Sequence, residues 1–171
     1  LDAALGNLGR IISVTDLPVT IDMEAGYGAD PAAVGASVAR AAALGAVGIN
    51  IEDKDPATRQ LFETAEAAQR IEAAAASGLW INARADLFIL TPKEQHDEAL
   101  VDRVLERAKA YADSGANSLF VPFIYDPALI AKLCQRSPLP VNTLVGEGVP
   151  DIRTLAELGV EPRGFAAALL A

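Results

Sequence analysis

Cysteine and histidine are almost absent from this sequence. It contains one cysteine, Cys134, and one histidine, His96, so neither an intrachain disulfide nor a zinc site built from Cys and His clusters can form. Basic residues are also scarce, with 14 Lys and Arg against 23 Asp and Glu and a formal net charge of -9. An acidic chain offers no basic surface for counterion release, and we therefore expect no nucleic-acid partner.

Long apolar runs are missing as well. No run approaches the roughly 18 residues that a membrane-spanning helix needs, and no basic segment precedes an apolar signal core near residue 1. We therefore expect a cytoplasmic protein without a membrane partner. The composition, 51% hydrophobic and 22% charged, is typical of one soluble globular domain large enough to bury a core.

Short apolar runs alternate with helical patterns along the chain, and this alternation predicts an α/β fold. The predicted strands are 19–22, 47–51, 80–83, 118–121 and 139–142. We interpret them as apolar on both faces, which is typical of a parallel sheet. An Asp or Thr before proline marks the predicted helix starts, and glycine marks the predicted helix ends. The starts are Asp30, Asp55, Thr91 and Asp126, and the ends are Gly45, Gly78, Gly115 and Gly159.

Polar residues follow nearly every predicted strand, which favours a TIM-type (β/α)8 barrel over a doubly wound sheet. The turn Gly26-Tyr27-Gly28 also lacks the third glycine of a dinucleotide-binding turn. Only about five βα units are visible, whereas a barrel has eight. We therefore interpret residues 1–171 as a single, incomplete barrel domain that lacks its first two strands and its C-terminal helices.

Carboxylates stand at the ends of the first two predicted strands. Asp22 and Glu24 follow the first strand, Glu52 and Asp53 follow the second, and Arg84 ends the third. The carboxyl ends of parallel strands share one edge of a sheet, so these groups offer oxygen ligands for a hard metal ion beside a fixed cation. The alternatives are solvated carboxylates, helix capping after the second strand, and a simple ion pair of Arg84 with Asp86 or Glu52.

Three segments together form a specific pattern that resembles the isocitrate lyase and phosphoenolpyruvate mutase superfamily. They are Asp22-Met23-Glu24-Ala25-Gly26-Tyr27-Gly28, Gly48-Ile49-Asn50-Ile51-Glu52-Asp53 and Asn82-Ala83-Arg84-Ala85-Asp86. The resemblance implies a TIM-like barrel that holds Mg2+, or Mn2+, and a 2-oxocarboxylate whose enolate forms as a C–C or P–C bond changes. It also implies a homodimer or homotetramer.

The resemblance assigns metal binding to Asp22, Glu24 and Glu52, and it places Arg84 against the substrate oxygens as a catalytic residue. Lys54 is retained beside the acidic pair and is a second catalytic candidate. Tyr27, Gly28 and Asn142 are candidates for substrate binding from their positions at strand ends, with packing an equal alternative for Tyr27. His96 lies in a polar helix start, and we predict that it is a surface residue rather than a catalytic base.

The segment after Glu52 departs from the superfamily pattern. The lyases carry a gating loop with a catalytic cysteine and a histidine, whereas residues 52–60 contain neither, and the loop of the mutases is absent too. Either the gate is lost or loop residues are missing before the next helix. Three functions stay open: a Mg2+-dependent C–C lyase or hydrolase, which we favour, a P–C hydrolase or mutase, and a non-catalytic Mg2+ and oxoacid-binding protein.

Overall fold

The computed structural model describes residues 1–161, so residues 162–171 of the predicted domain lie outside the described part. The five predicted strands are present, each within two residues of its expected limits. They are β1 Thr20–Asp22, β2 Gly48–Glu52, β3 Trp80–Arg84, β4 Ser118–Phe120 and β5 Val141–Asn142. The helices are α1 Asp2–Ile12, α2 Pro31–Ala43, α3 Thr64–Ala75, α4 Leu87–Leu90, α5 Glu98–Asp113, α6 Pro127–Arg136 and α7 Ile152–Glu157, with a 3-10 turn at Lys93–Gln95.

The strands form one parallel sheet in the sequential order β1-β2-β3-β4-β5. The crossover helices α2, α3, α5 and α6 pack against one another in turn, so they form a single layer along the sheet. When all crossover connections between parallel strands have the same handedness, their helices lie on one face of the sheet only if the strand order never reverses. The predicted α/β fold is thereby confirmed as consecutive units of a TIM-type barrel.

Two of the four Asp-Pro or Thr-Pro helix starts are confirmed. Asp30 and Asp126 cap α2 and α6, accepting hydrogen bonds from Ala33 N and Ala128 N. The other two predictions were wrong. Asp55 begins a turn, in which its side chain accepts from Ala57 N, and α5 is capped by Asp97 rather than begun near Thr91. The four predicted terminal glycines all have the positive φ of a helix end.

The two faces of the sheet differ, and the prediction of strands apolar on both faces was wrong. Ile49, Ile51, Ile81, Ala83, Leu119 and Val141 belong to the hydrophobic core. Asn50, Glu52, Asn82, Arg84, Ser118 and Asn142 occupy the alternate positions, which point to the opposite face. The helix layer thus covers an apolar face, while polar groups line the other. No helix within residues 1–161 is long and apolar enough to cross a bilayer.

Candidate active site

Strand register brings the candidate residues into two rows on the polar face. One row pairs Asp22 with Asn50, Asn82 and Ser118 across β1 to β4. The next row, nearer the carboxyl ends of the strands, pairs Glu52 with Arg84, Phe120 and Asn142. Catalytic groups of barrel enzymes lie at this end of the strands. The site therefore lies where β2 and β3 end.

Arg84 lies at the centre of an ion-pair network. Its Nε and Nη2 donate to the two carboxylate oxygens of Asp86, at 2.5 and 2.8 Å, and its Nη2 lies 2.5 Å from Oε2 of Glu52. The Nζ of Lys54 lies 2.9 Å from Asp86 and 3.3 Å from Glu52. The alternative of an ion pair for Arg84 is thus realised, with two carboxylates and two cations in one network. Asp86 and Glu52 are the two partners that the sequence offered for such an ion pair, and Arg84 contacts both.

The charges of this network shift the pKa of each cation. Burial opposes the charged form of Arg84, but the hydrogen bonds and negative charge of Asp86 outweigh it and raise the pKa of Arg84. The same balance of burial against Asp86 raises the pKa of Lys54. Both side chains therefore remain cationic at neutral pH. The raised pKa favours Lys54 as a donor of a proton or a hydrogen bond there.

One carboxylate oxygen of Glu52 accepts no hydrogen bond from the part of the chain that the structure describes. Its side chain is 2% exposed, and Oε2 is buried and has no hydrogen-bond partner within the described residues. The nearby Nη2 of Arg84 is close enough for an ion pair but lacks hydrogen-bond geometry. Burial raises the pKa of Glu52, although Arg84 and Lys54 act in the opposite direction. A buried oxygen of this kind has unused capacity for a ligand or a cation.

Of the other two predicted metal ligands, Asp22 is the last residue of β1 and Glu24 lies on the loop after it. Asp22 and Glu24 are exposed, and Oδ1 of Asp22 accepts a hydrogen bond from Glu24 N at 2.9 Å. The carbonyl of Glu24 accepts from Glu52 N at 2.8 Å, so the two carboxylate-bearing segments are adjacent. Among residues 1–161, no three Asp, Glu, His or Cys side chains are grouped closely enough to hold a metal together.

This donor set suits an open Mg2+ site better than a closed one. Mg2+ commonly keeps several waters and binds through one or two carboxylates together with its substrate. Oε2 of Glu52 and the exposed carboxylates of Asp22 and Glu24 are hard oxygen donors of that type. The described residues provide no all-protein cage, so bridging water would have to complete the coordination.

Two predicted substrate-binding residues, Tyr27 and Gly28, follow on the same loop. Tyr27 is 39% exposed, and partial burial and the charges of Glu24 and Asp22 raise its pKa. Gly28 packs against the start of α2, because a Cβ there would lie 2.4 Å from Val34 N. Its structural role is evident, and its role in substrate binding stays a prediction.

Asn142 belongs to a chain of polar groups across the sheet. Its Nδ2 donates to Oδ1 of Asn82 at 2.8 Å, and the same oxygen accepts from Oγ of Ser118 at 2.7 Å. Oγ of Ser118 accepts from Nε1 of Trp80 at 3.0 Å, and Nδ2 of Asn82 donates to Oδ1 of Asn50 at 3.2 Å. Sequence reasoning missed this chain, because the strand runs had been interpreted as apolar on both faces.

The connection from Asp53 to Phe62 is a short closed hairpin. Asp55 N donates to the carbonyl of Gln60 at 2.8 Å, Phe62 N donates to the carbonyl of Asp53 at 2.9 Å, and Lys54 pairs with Leu61 in an antiparallel bridge. The backbone is continuous through this turn, and α3 begins only at Thr64. The segment without the gating cysteine and histidine is therefore a compact hairpin, and the loss of the gate stays a prediction.

His96 is more enclosed than a surface residue. Its Nε2 lies 3.1 Å from the carbonyl of Phe88 and 3.0 Å from that of Thr91, and its ring stacks near Tyr125. Carbonyl oxygens only accept hydrogen bonds, so Nε2 must carry a proton and donate. The predicted surface position was wrong because His96 is half-buried, with its ring packed against Phe88 of α4 and Tyr125.

Comparison with known proteins provides the family. A family model described as phosphoenolpyruvate phosphomutase matches residues 1–169. An uncharacterized protein of Mycobacterium tuberculosis is 38% identical over 144 residues, which are 83% of this chain and 52% of that protein. The 2-methylisocitrate lyase of Escherichia coli is 28% identical over 168 residues, which are 92% of this chain and 55% of the lyase. The chain thus spans about half the length of these relatives.

Solved structures agree with the fold. A crystal structure from Burkholderia cenocepacia J2315, provisionally described as a phosphonomutase, is 45% identical with a TM-score of 0.91, covering 93% of this chain and 66% of that one. A phosphonopyruvate hydrolase solved with oxalate and Mg2+ is 24% identical with a TM-score of 0.76, covering 93% of this chain and 57% of that one. The second likeness shows a common fold.

Proposed function

Because this chain belongs to the phosphoenolpyruvate phosphomutase family, we propose that it is a Mg2+-dependent enzyme that breaks a carbon–carbon bond in a small 2-oxocarboxylate or its aldol-type adduct. The observation that carries the proposal is the buried Oε2 of Glu52, which lacks a hydrogen bond within the described residues and lies beside the cation of Arg84. The 2-methylisocitrate lyases among its relatives support carbon–carbon chemistry.

In this proposal Asp22, Glu24 and Glu52 hold the metal, partly through water. A bound Mg2+ would supply a Lewis acid that favours negative charge on the oxygen of a 2-oxoacid enolate. The phosphonopyruvate hydrolase of the same fold holds Mg2+ together with oxalate, a planar dianion that resembles a pyruvate enolate. Oxalate is therefore the natural probe for this site.

Arg84 is oriented to bind the substrate carboxylate. Asp86 holds its Nε and Nη2 in a two-point contact, which fixes the plane of the guanidinium. Within residues 1–161, Nη1 makes no hydrogen bond, and it is the part of the side chain that can donate to a ligand. A permanently charged donor at a fixed position stabilises negative charge that develops on the substrate.

Lys54 supplies a second positive charge. Its Nζ contacts Glu52 and Asp86, which account for two of the three N–H donors of an ammonium group. The third can reach a substrate oxygen or deliver a proton as the enolate is converted to product. The raised pKa of Lys54 keeps the ammonium form available for this task.

A second candidate function is cleavage or rearrangement of a phosphorus–carbon bond in a phosphonopyruvate-like compound. It is favoured by the structure from Burkholderia cenocepacia J2315, which is 45% identical and provisionally described as a phosphonomutase. Both candidate reactions use a metal and a 2-oxoacid enolate. They differ in product, since only the phosphonate reactions yield phosphate or a phosphate ester.

Calorimetric titration with oxalate, with and without Mg2+, tests the site. We expect binding that requires Mg2+ and is lost in Glu52→Gln and Glu24→Ala, whereas Glu72→Ala, an exposed change on α3, preserves it. Equal affinity without Mg2+, or in both site variants, would contradict the proposal. Product analysis with 2-methylisocitrate and phosphonopyruvate then separates the reactions, and binding without turnover of either would indicate a non-catalytic oxoacid-binding protein.

A further inference from the structure

Arg70, in the middle of α3, is a buried arginine outside the site described above. Its side chain is 5% exposed, and its guanidinium lies against the loop that joins β1 to α2. This loop follows Asp22, the last residue of β1, and carries Glu24 and Tyr27. Nothing in the sequence distinguishes Arg70 from a surface residue of an amphipathic helix, and only the folded chain reveals its contacts.

Each N–H group of Arg70 has an acceptor. Nη1 donates to the carbonyls of Ala25, at 3.4 Å, and Gly28, at 3.0 Å. Nη2 donates to the carbonyl of Ala29, at 2.9 Å, and to Oε1 of Glu66, at 3.1 Å, which also accepts from Nε at 3.2 Å. A guanidinium has five N–H donors, so all of them are used, and three of the five hydrogen bonds go to the loop backbone.

The loop has a backbone that needs such support. Glu24, Gly26 and Tyr27 have φ values of +50°, +94° and +50°. Residues that carry a Cβ rarely adopt this left-handed conformation, and they keep it only where surrounding contacts fix it. The carbonyls that Arg70 binds lie within and directly after this strained segment.

Arg70 also joins the loop to the hairpin after β2. The Cζ of Arg70 lies 4.1 Å from the ring centroid of Phe62, and Phe62 N donates to the carbonyl of Asp53 at 2.9 Å. The edge of the guanidinium therefore binds the loop that follows Asp22 and bears Glu24, while its face packs on the hairpin next to Glu52.

We infer that Arg70 is a positioning residue that sets the direction of the carboxylates of Asp22 and Glu24 relative to Glu52. The inference rests on the proposed function, because it assigns these carboxylates to a common metal. Arg70 itself touches neither metal nor substrate. It acts through the backbone of residues 25–29, and a lysine could not replace it, because an ammonium has three donors and no flat face.

The test variant is Arg70→Lys, which keeps the positive charge. The matched control is Glu66→Gln, which weakens only the contact between Arg70 and residue 66 and leaves Arg70 bound to the three loop carbonyls. Hydrogen exchange of the amides of residues 25–29 reports on the loop, and oxalate calorimetry in Mg2+ reports on the site. We expect faster exchange and about tenfold weaker Mg2+-dependent binding in Arg70→Lys. In Glu66→Gln, exchange should remain as in the unmodified chain and affinity should change by less than about twofold.

Unchanged exchange in Arg70→Lys would overturn the inference, and so would faster exchange with full affinity, since the contact would then serve the fold alone. If the unmodified chain bound no oxalate in Mg2+, the proposed function would fail, while the exchange result would still decide whether Arg70 holds the loop. If Arg70→Lys does not fold, Phe62→Leu replaces it. This variant leaves every donor in place but removes the ring beneath the guanidinium, and it should show the same two changes to a smaller degree.

Discussion

The hydroxyl of Tyr111 donates a hydrogen bond of 2.7 Å to Oδ2 of Asp53, from 58 residues further along the chain. Nη1 of Arg107 donates to the same oxygen at 3.1 Å, and Oδ1 of Asp53 accepts from Asp86 N at 2.8 Å. Helix α5 is thereby joined to the ends of β2 and β3. Asp53 is thus a structural partner of the site, directly beside Glu52.

Tyr111→Phe should destabilise the fold by about 1–3 kcal/mol, because a buried carboxylate loses one of its donors. Burial and the charge of Asp53 raise the pKa of Tyr111 well above its usual value, so the hydroxyl donates across the ordinary pH range. Urea unfolding measures the change. Lys109→Ala, which breaks an exposed pair with Asp113, is the control and should cost about 0.5 kcal/mol or less. Equal stability of Tyr111→Phe and the unmodified chain would contradict the prediction.

Asp86→Asn should impair both stability and ligand binding. Asp86 is fully buried and contacts Arg84 and Lys54, so its neutralisation leaves two partly buried cations facing Glu52 alone. Loss of one partner of a buried pair costs about 3–5 kcal/mol, and the amide should recover part of this. We expect a loss of about 2 kcal/mol in urea unfolding and weaker oxalate binding. Asp102→Asn, at an exposed pair with Arg136, serves as control; a similar effect there would argue against a special role for Asp86.

Affinity for Mg2+ should fall as the pH is lowered. This loss of affinity should begin at a higher pH than in a site formed by glutamates with an ordinary pKa. Burial raises the pKa of Glu52, and only the carboxylate form binds a cation. The folded chain therefore binds the proton of the Glu52 carboxyl group more tightly than the unfolded chain does. Protonation of Glu52 thus contributes to the free energy of unfolding at low pH, and this contribution is lost as the pH rises through the raised pKa. Mg2+ titrations between pH 4 and 8 on the unmodified chain and on the control Glu72→Ala, an exposed change on α3, should both show the dependence. A flat profile in both would exclude Glu52 as a ligand.

Gly28→Ala should destabilise the chain by about 1–3 kcal/mol through overpacking. The added Cβ would lie 2.4 Å from Val34 N and 2.6 Å from the carbonyl carbon of Ala33, and both contacts are with the backbone of α2, which cannot rotate away. Thermal unfolding measures the loss. Among residues 1–161, nothing lies within 4 Å of the Cβ that Gly146→Ala would add, and this variant should be nearly neutral. Comparable melting temperatures for the two variants would refute the steric argument.

The order and type of elements could be predicted from the sequence because they depend on local signals. The glycines at helix ends, including Gly45 and Gly115, marked where each helix stops, and the apolar runs marked the strands. Asp55 was misassigned because an Asp-Pro pair favours a turn as readily as a helix start. Only the pairing of Lys54 with Leu61, a tertiary feature, distinguishes the two.

The candidate site was predictable only in part. The motif order pointed to Glu52 and Arg84, and register places them opposite each other. The contacts of Arg70 and Asn82 could not have been predicted, since their partners lie 41 and 60 residues away along the chain. Such contacts leave no periodic trace in a single sequence. The convergence of Asp22, Glu24 and Glu52 on one ion is likewise a matter of side-chain geometry, and it stays a prediction.

Polar and apolar side chains alternate along β2 and β3, so the charged pair of Glu52 and Arg84 also affects how the two strands align. Ile51 and Ala83 lie between the polar positions and belong to the core under the helices. If β3 shifted by one residue against β2, the guanidinium of Arg84 would point into the hydrophobic core. Ile81 would then point to the polar face. The charge of Arg84 thus also disfavours a shifted register of β2 and β3 during folding. Variants that neutralise Arg84 should tolerate shifted pairings of these strands that the native chain does not.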